Sequence, residues 1–401
     1  MANKIPRREF HFVSGNSSKF WAIELSGSSF DVNYGKLGTN GRTQTKEFAS
    51  GVKAKEAYEK LITEKSKKGY VEVDSESESD PNDVLSPAMF STTPTSRFSH
   101  LTMFIGKKVT EYTGPACVKK TRKVYAFRYS YGEDSKGVVD LLDSFAQTDG
   151  PEYTTGLVIG NYGEYPSDAE PIVNKLVELK DRFPNLVAVF LGDMEYTDCE
   201  VSWIENCDMT PLLNAFPKLE LLRVRGGTGV RFKSAKHENL RALAIESGGL
   251  GRDAVAQICK AKFPKLEYLE LWLGTDSYGG DCRVNDLQPI LSGKSFSNLE
   301  YLGLRNSEIV DEIAGVVASS PILQQIEILD LSLGTMTDEG GKALLNIPQK
   351  CKLEKIDVCG NFLTNESIKD LKKLHVTVVL KSQRKPDDWG DGPVRFVSIG
   401  E

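Results

Sequence analysis

The sequence predicts an α/β protein in two parts: a small antiparallel sheet with one helix, then a long repetitive array of parallel strands backed by helices. Three observations carry this reading. The pattern L-x-x-L-x-L at Leu266, Leu269 and Leu271 recurs at Leu186/Val189/Leu191, Leu219/Leu222/Val224, Leu240/Leu243/Ile245, Leu299/Leu302/Leu304, Ile326/Leu329/Leu331 and Leu353/Ile356/Val358, with successive starts 33, 21, 26, 33, 27 and 27 residues apart. A period of about 20–29 residues is that of a solenoid. One such unit cannot bury its own apolar face, so stacked neighbours must share a continuous core. Residues 1–73 instead hold short aromatic and β-branched runs broken by Gly and Ser, and between the two parts lies an acidic, Ser-rich stretch.

The 401 residues exceed what a single compact core holds and fit two or three domains. We expect residues 1–73, a flexible linker at 74–98, an N-terminal cap of the solenoid at 99–185, and the solenoid with its C-terminal cap at 186–401. No run approaches about 18 consecutive apolar residues, and the first eight residues lack the apolar core of a signal peptide. The expected location is cytoplasmic, or nuclear if the source is eukaryotic, with no membrane partner. The seven cysteines contain no C-x-x-C pair and are expected to be reduced, buried thiols. Net charge is −6, yet residues 1–73 carry 13 Lys/Arg against 8 Asp/Glu, an excess of +5 that leaves −11 for the rest. Attraction to a polyanion should therefore concentrate at the N-terminal end.

In chain order, residues 9–13 and 19–25 read as two strands joined by the polar residues 14–18. Residues 29–34 alternate again, and Gly35, Gly38 and Gly41 punctuate a tight connection into a fourth strand at 43–48. Ser50 caps the helix that follows, where Ala54, Ala57, Tyr58, Leu61 and Ile62 form one apolar stripe and Gly69 marks the end. Residues 74–98 cannot bury enough apolar surface to offset ordering entropy, hence the linker. The run 124–129, preceded by Lys119, Lys120, Arg122 and Lys123, reads as a solvated edge strand protected by its basic neighbours. Helices at 137–145 and 171–182 flank a strand at 155–160, and intervals such as 253–260 and 338–345 return the chain between repeat strands as helices.

Two resemblances follow from these residues. The stretch Val32-Asn33-Tyr34-Gly35-Lys36-Leu37-Gly38-Thr39-Asn40-Gly41-Arg42-Thr43-Gln44, with residues 19–25 and 64–70, resembles the WGR domain across about residues 7–73. That family occurs in DNA-dependent poly(ADP-ribose) polymerases and in small bacterial proteins. The resemblance implies binding of DNA, at 5′-phosphorylated ends: Tyr34 stands in place of the motif Trp that packs on a terminal sugar, and Lys36 in place of the motif Arg. Ser18 takes a polar loop position and Lys65 a basic helix-end position, with Lys19, Gly35 and Arg42 completing the implied DNA-binding set. Two of the three name-giving residues are changed. Tyrosine still stacks, but lysine is a point charge without the bidentate guanidinium fork, so a phosphate contact survives the change better than an interdomain salt bridge.

The repeat region resembles a family of bacterial leucine-rich-repeat proteins, some with an N-terminal WGR domain. The residues that carry this are 203–213, 269–274 with 278–281, and 302–309, and the match spans about 98–401. The resemblance brings no established activity. In a leucine-rich-repeat solenoid the leucines point inward and the intervening positions project from the concave sheet. By that register Arg223, Arg225, Glu246, Tyr268, Glu270, Trp272, Tyr301 and Arg305 line one surface. An exposed Trp272 among charges of both signs has the composition of a protein-binding centre, so an unknown protein partner is expected there.

Signs of catalysis are poor. His11, His100, His237 and His375 match no metal spacing, and the glycine runs at 226–229 and 248–251 lack the Lys-Ser/Thr of a phosphate-binding loop. No catalytic residue, metal ligand or cofactor is assigned. The expected function is a non-enzymatic adaptor that binds DNA through its first domain and a protein through its solenoid, the alternative being a protein-interaction scaffold that does not bind DNA.

Overall fold

A computed structural model describes residues 4–14, 17–36, 41–73, 85–90, 100–129, 137–163, 168–388, 390 and 392–400. These fall into two compact units, one containing the first sheet and helix, the other containing Leu85–Phe90 and the repeats from Val109 onward.

In the first unit β1 (Lys4–Ser14), β2 (Ser17–Ser26), β3 (Ser29–Lys36), β4 (Arg42–Glu47) and β5 (Val71–Val73) form an antiparallel sheet in the order β4-β3-β2-β1-β5. The strand β5 was not anticipated, because three residues are too short to carry an alternating signal. Helix α1 (Gly51–Lys67) begins where Ser50 Oγ accepts the Lys53 amide at 3.4 Å. Its Ala54 and Tyr58 are buried against Phe10, Trp21, Ile23, Leu25, Phe30 and Val32, with Ala57, Leu61 and Ile62 half-buried around them. Each large apolar side chain buried here contributes about 1.5–3 kcal/mol. Gly41 has φ +62°, and a Cβ there would sit 2.4 Å from Phe20 and 2.7 Å from the Tyr34 carbonyl, so the turn into β4 demands glycine.

In the second unit the parallel strands follow one another in sequence order. Met103–Lys108 belong to the first unit, where β6 (Met103–Phe104) pairs with the start of β7 (Lys107–Glu111). The strands of the second unit, from Val109 of β7 onward, continue with β8 (Lys123–Arg128), β9 (Thr154–Gly160), β10 (Ala188–Leu191), β11 (Leu221–Arg225), β12 (Ala242–Glu246), β13 (Tyr268–Gly274), β14 (Tyr301–Ser307), β15 (Ile328–Asp330), β16 (Lys355–Asp357) and β17 (Thr377–Val379). The repeat positions stack in register: Leu222, Leu243, Leu269, Leu302, Leu329 and Ile356 form one continuous row, and Val224, Ile245, Leu271 and Leu304 another. All of them are fully buried. This ladder is the direct result of the L-x-x-L-x-L spacing, since equivalent residues of neighbouring repeats meet side by side.

Helices α2 (Val138–Ala146), α3 (Glu170–Glu178), α4 (Thr210–Ala215), α5 (Arg252–Lys260), α6 (Gln288–Leu291), α7 (Val310–Val317), α8 (Asp338–Leu344) and α9 (Asn365–Leu371) return the chain between strands. Repeats are also tied end to end by polar side chains. Asp311 accepts the amide of Thr337 at 2.9 Å and its hydroxyl at 2.7 Å, and Asp338 accepts the same two groups of Thr364 at 2.9 and 2.8 Å. Thr337 and Thr364 in turn cap α8 and α9. At the end of β13, Gly274 has φ +68°, and a Cβ would come within 1.7 Å of the Gly248 carbonyl, so only glycine lets adjacent repeat loops approach this closely.

Three expectations need correction. The run 124–129 is not a solvated edge: β8 lies between β7 and β9, and Val124, Tyr125, Ala126 and Phe127 are all buried. An uninterrupted apolar run is the mark of a parallel strand covered on both faces, and that signal outranks the flanking lysines. The segment 85–90, placed in the linker, is packed into the second unit; the rest of the linker lies outside the described residues. Of the seven free cysteines, Cys207 and Cys282 are buried and the other five are half-buried. Burial pushes the Cys207, Cys282 and Cys359 thiols up to about 12, which removes their nucleophilic character at neutral pH.

Among the described residues no helix is long and apolar enough to cross a membrane, and no cluster of three or more His, Cys, Asp or Glu is arranged to hold a metal ion.

Candidate nucleic-acid interface and concave face

Strand register brings most of the expected DNA-binding residues onto one face of the first sheet. Phe10, Trp21, Tyr34 and Arg42 form a cross-strand row over β1 to β4, and Lys19 lies directly opposite Lys36 in the neighbouring position of the same face. Opposed residues, and residues two apart on a strand, share a face. That face is the one α1 covers, because Trp21 is buried in the core beneath the helix. Beyond the helix the row emerges: Tyr34 is 44% exposed, and Lys19, Lys36 and Arg42 are exposed.

Lys65 approaches from the last turns of α1. Its Nζ lies 5.3 Å from the Trp21 ring centroid and 4.6 Å from that of Tyr70. Its pKa is lowered, first by burial and then by the like charges of Lys68 and Lys19. This basic group would gain from a neighbouring anion, because a phosphate relieves the repulsion that Lys65, Lys68 and Lys19 share. Gly35 sits opposite Phe20 and is half-buried, while Ser18 of β2 pairs with Val13 of β1, its side chain lying outside the described part. Leu37, Gly38, Thr39 and Asn40 also lie outside the described residues.

On the solenoid the eight expected residues do meet. Glu246 accepts from Arg223 and, at 2.8 Å, from Arg225. Glu270 accepts from Trp272 Nε1 at 2.7 Å, from Arg305 at 3.0 Å and from the Tyr268 hydroxyl, with the Arg223 guanidinium 3.7 Å away. Tyr268 and Tyr301 stack with centroids 4.0 Å apart, Tyr301 donates to Asp330 at 2.9 Å, and the Arg305 guanidinium lies 5.2 Å over the Trp272 ring. Burial alone would raise the Glu246 carboxyl; Arg225 and Arg223 outweigh it and hold the group down to about 2.

The expected exposure is what fails. Trp272 is 3% exposed, Arg223 and Glu270 are fully buried, and Glu246 and Tyr268 are nearly so, while Arg225, Tyr301 and Arg305 are half-buried. Three arginines face three carboxylates, Asp330 being the third, so the cluster is internally neutralised. Arg223 Nε is a buried donor without a hydrogen-bond partner among the described residues, but the charges are paired, so the network is costly to break at any one member.

Two groups of residues escaped the sequence reading. Arg241, bidentate to Glu267 at 3.0 and 2.7 Å and bonded to Glu220 at 3.1 Å, also donates to the Leu85 carbonyl at 2.5 Å. Phe90, which Arg241 covers, is 1% exposed. The available signal was three large apolar residues, Leu85, Met89 and Phe90, within an otherwise polar stretch. Residues 398–400 are bonded to repeat loops far apart in the chain: Ser398 to Leu333, Ile399 to Asn306 and Gly400 to Ser202. No local pattern announces that.

Comparison with known proteins agrees with this architecture. The family described as the WGR domain matches residues 7–77. Protein YehF of Escherichia coli (strain K12) is 45% identical over 65 residues, 16% of this chain and 24% of that protein. The uncharacterized protein YfeS of the same strain is 44% identical over 66 residues, 16% of this chain and 27% of that protein. The chain thus spans about a quarter of the length of these curated relatives. A crystal structure of a Bacteroides fragilis protein superimposes with TM-score 0.67 and 30% identity, covering 98% of this chain and 100% of that one. Residues 7–77 are therefore a WGR domain, and the chain, which joins that domain to a leucine-rich-repeat solenoid, belongs to the family of the Bacteroides fragilis protein.

Proposed function

We propose that the protein is a non-enzymatic adaptor whose WGR domain binds DNA at 5′-phosphorylated ends and whose solenoid binds a protein. The carrying observation is the surface on which an exposed Tyr34 stands beside Lys19, Lys36 and Arg42, with Lys65 and Lys68 at the adjacent helix end. An aromatic flanked by cations suits a terminal sugar or base with its phosphate, stacking supplying one part and charge the other. The charge excess of residues 1–73 points the same way. A scaffold that does not bind DNA is the second reading, favoured by the presence of Tyr34 and Lys36 where the family motif has Trp and Arg.

Fluorescence anisotropy of the full chain with 5′-phosphorylated and hairpin-closed duplexes separates the two. Open ends are expected to bind more tightly, with affinity falling as salt rises. Lys36→Ala and Lys65→Ala should each lower the salt slope by about one unit. Tyr34→Ala should weaken end binding by about 1 kcal/mol through loss of the stacking surface. Equal affinity for open and closed ends would leave only non-specific attraction to DNA, and no binding near 0.1 M salt would favour the scaffold.

A further inference from the structure

The segment Leu85–Phe90 lies against the parallel sheet, on Arg223, Arg241 and Tyr268, in the manner of a ligand. Ser86 and Pro87 close a single turn, the Met89 amide donating to the Ser86 carbonyl at 2.8 Å and the Phe90 amide to the Pro87 carbonyl at 3.1 Å. Arg241 donates to the Leu85 carbonyl at 2.5 Å and Arg223 to the Phe90 carbonyl at 2.9 Å. The Phe90 ring meets Tyr268 edge-on with centroids 6.1 Å apart, and the Arg241 guanidinium lies 5.1 Å from its centroid.

Several features distinguish this from core packing. Neither Leu85 nor Phe90 belongs to the apolar core that runs through the repeats, and the leucine rows of β11 to β13 stack without them. Both side-chain hydrogen bonds from the solenoid end on backbone carbonyls, which any peptide presents. The donors are also set in advance: Arg241 is fixed by Glu267 and Glu220, and Arg223 by Glu246, so little side-chain freedom is lost when a peptide arrives.

We propose that Arg223, Arg241 and Tyr268 form a binding site for a short peptide that carries an aliphatic residue, a turn and then an aromatic residue, and that Leu85–Phe90 is an internal copy displaced when a partner protein presents its own. This names the partner class for the solenoid half of the function proposed above and rests on that half. A segment attached to the same chain acts at an effective concentration on the order of mM, so it sets a threshold that an incoming peptide must exceed.

The test uses the full chain and a fluorescein-labelled peptide of residues 83–92. The Phe90→Ala chain is expected to bind it at least about 30-fold more tightly than the unaltered chain, because the competing segment has lost its anchor. Adding Arg241→Ala to Phe90→Ala should abolish that binding. Equal affinity of the Phe90→Ala and unaltered chains would overturn the proposal, and so would unfolding of Phe90→Ala, since the segment would then be part of the solenoid's structure. Hydrogen exchange on the unaltered chain gives an independent reading. The Met89 and Phe90 amides should exchange at least about 100-fold faster than those of Leu243 and Leu269, because local release precedes opening of the sheet. Exchange at the same rate as those strand amides overturns the idea. DNA-end affinity of the same variants is expected to be unchanged, so a failed peptide titration removes this inference and leaves the DNA reading to its own measurement.

Discussion

Glu270→Ala is expected to destabilise the solenoid by about 3–5 kcal/mol, the cost of leaving buried charges without their partner, and so to lower the thermal midpoint by roughly 10 °C. The reason is the number of donors that converge on one fully buried carboxylate. Trp272 Nε1, Arg305 and the Tyr268 hydroxyl all donate to Glu270, and Arg223 stands 3.7 Å away. Removing the acceptor strands two or three donors in a place that water does not reach, and each unsatisfied group costs about 1–3 kcal/mol. Trp272→Ala should fall in the same range through cavity formation. Differential scanning calorimetry of the two variants checks this. A midpoint within about 2 °C of the unaltered chain for Glu270→Ala would mean that the network is hydrated and contributes little.

Acid should unfold the protein by a route that runs through Glu246. Its carboxyl is held down to about 2 in the folded chain, against an ordinary value of 4.5. The unfolded chain therefore takes up this proton first as pH falls. The contribution of the group is complete above about pH 5, is lost progressively as pH falls toward 2, and amounts to about 3 kcal/mol. Urea unfolding at intervals between pH 6 and pH 2 should show stability falling over that window, and Glu246→Gln should flatten the fall by up to one proton's worth of slope. An identical slope in the variant would show that other carboxylates govern the acid limb. Arg225 and Arg223, which both donate to this carboxylate, are what sets the position of its titration.

The inner strands of the first sheet were legible because their core positions alternate: Trp21, Ile23 and Leu25 of β2 face inward, as do Phe30 and Val32 of β3. Helix α1 announced itself by Ser50 and by the spacing of Ala54, Tyr58 and Leu61. The grouping of Lys19, Tyr34, Lys36 and Arg42 followed only by analogy with the family, and strand pairing supplies its physical basis. Lys65 was placed among the basic contacts by position, but its seat over Trp21 and Tyr70 depends on the angle at which α1 crosses the sheet. That angle is a property of packing.

By itself the sequence determined the repeat, its register and the in-or-out direction of the repeat-strand residues that carry L-x-x-L-x-L, because that spacing is local and equivalent positions of stacked units must meet. It therefore correctly assembled Arg223, Glu246, Glu270, Trp272 and Arg305 on one face. Only the tertiary structure decided that Arg223, Glu246, Glu270 and Trp272 are buried, Arg305 half-buried, and their charges paired with one another. Exposure is not a property of a strand residue alone; it depends on what lies over it. Here Phe90 packs against Tyr268 and bonds to Arg223 from 133 positions away along the chain, a contact that no periodicity within a repeat can encode.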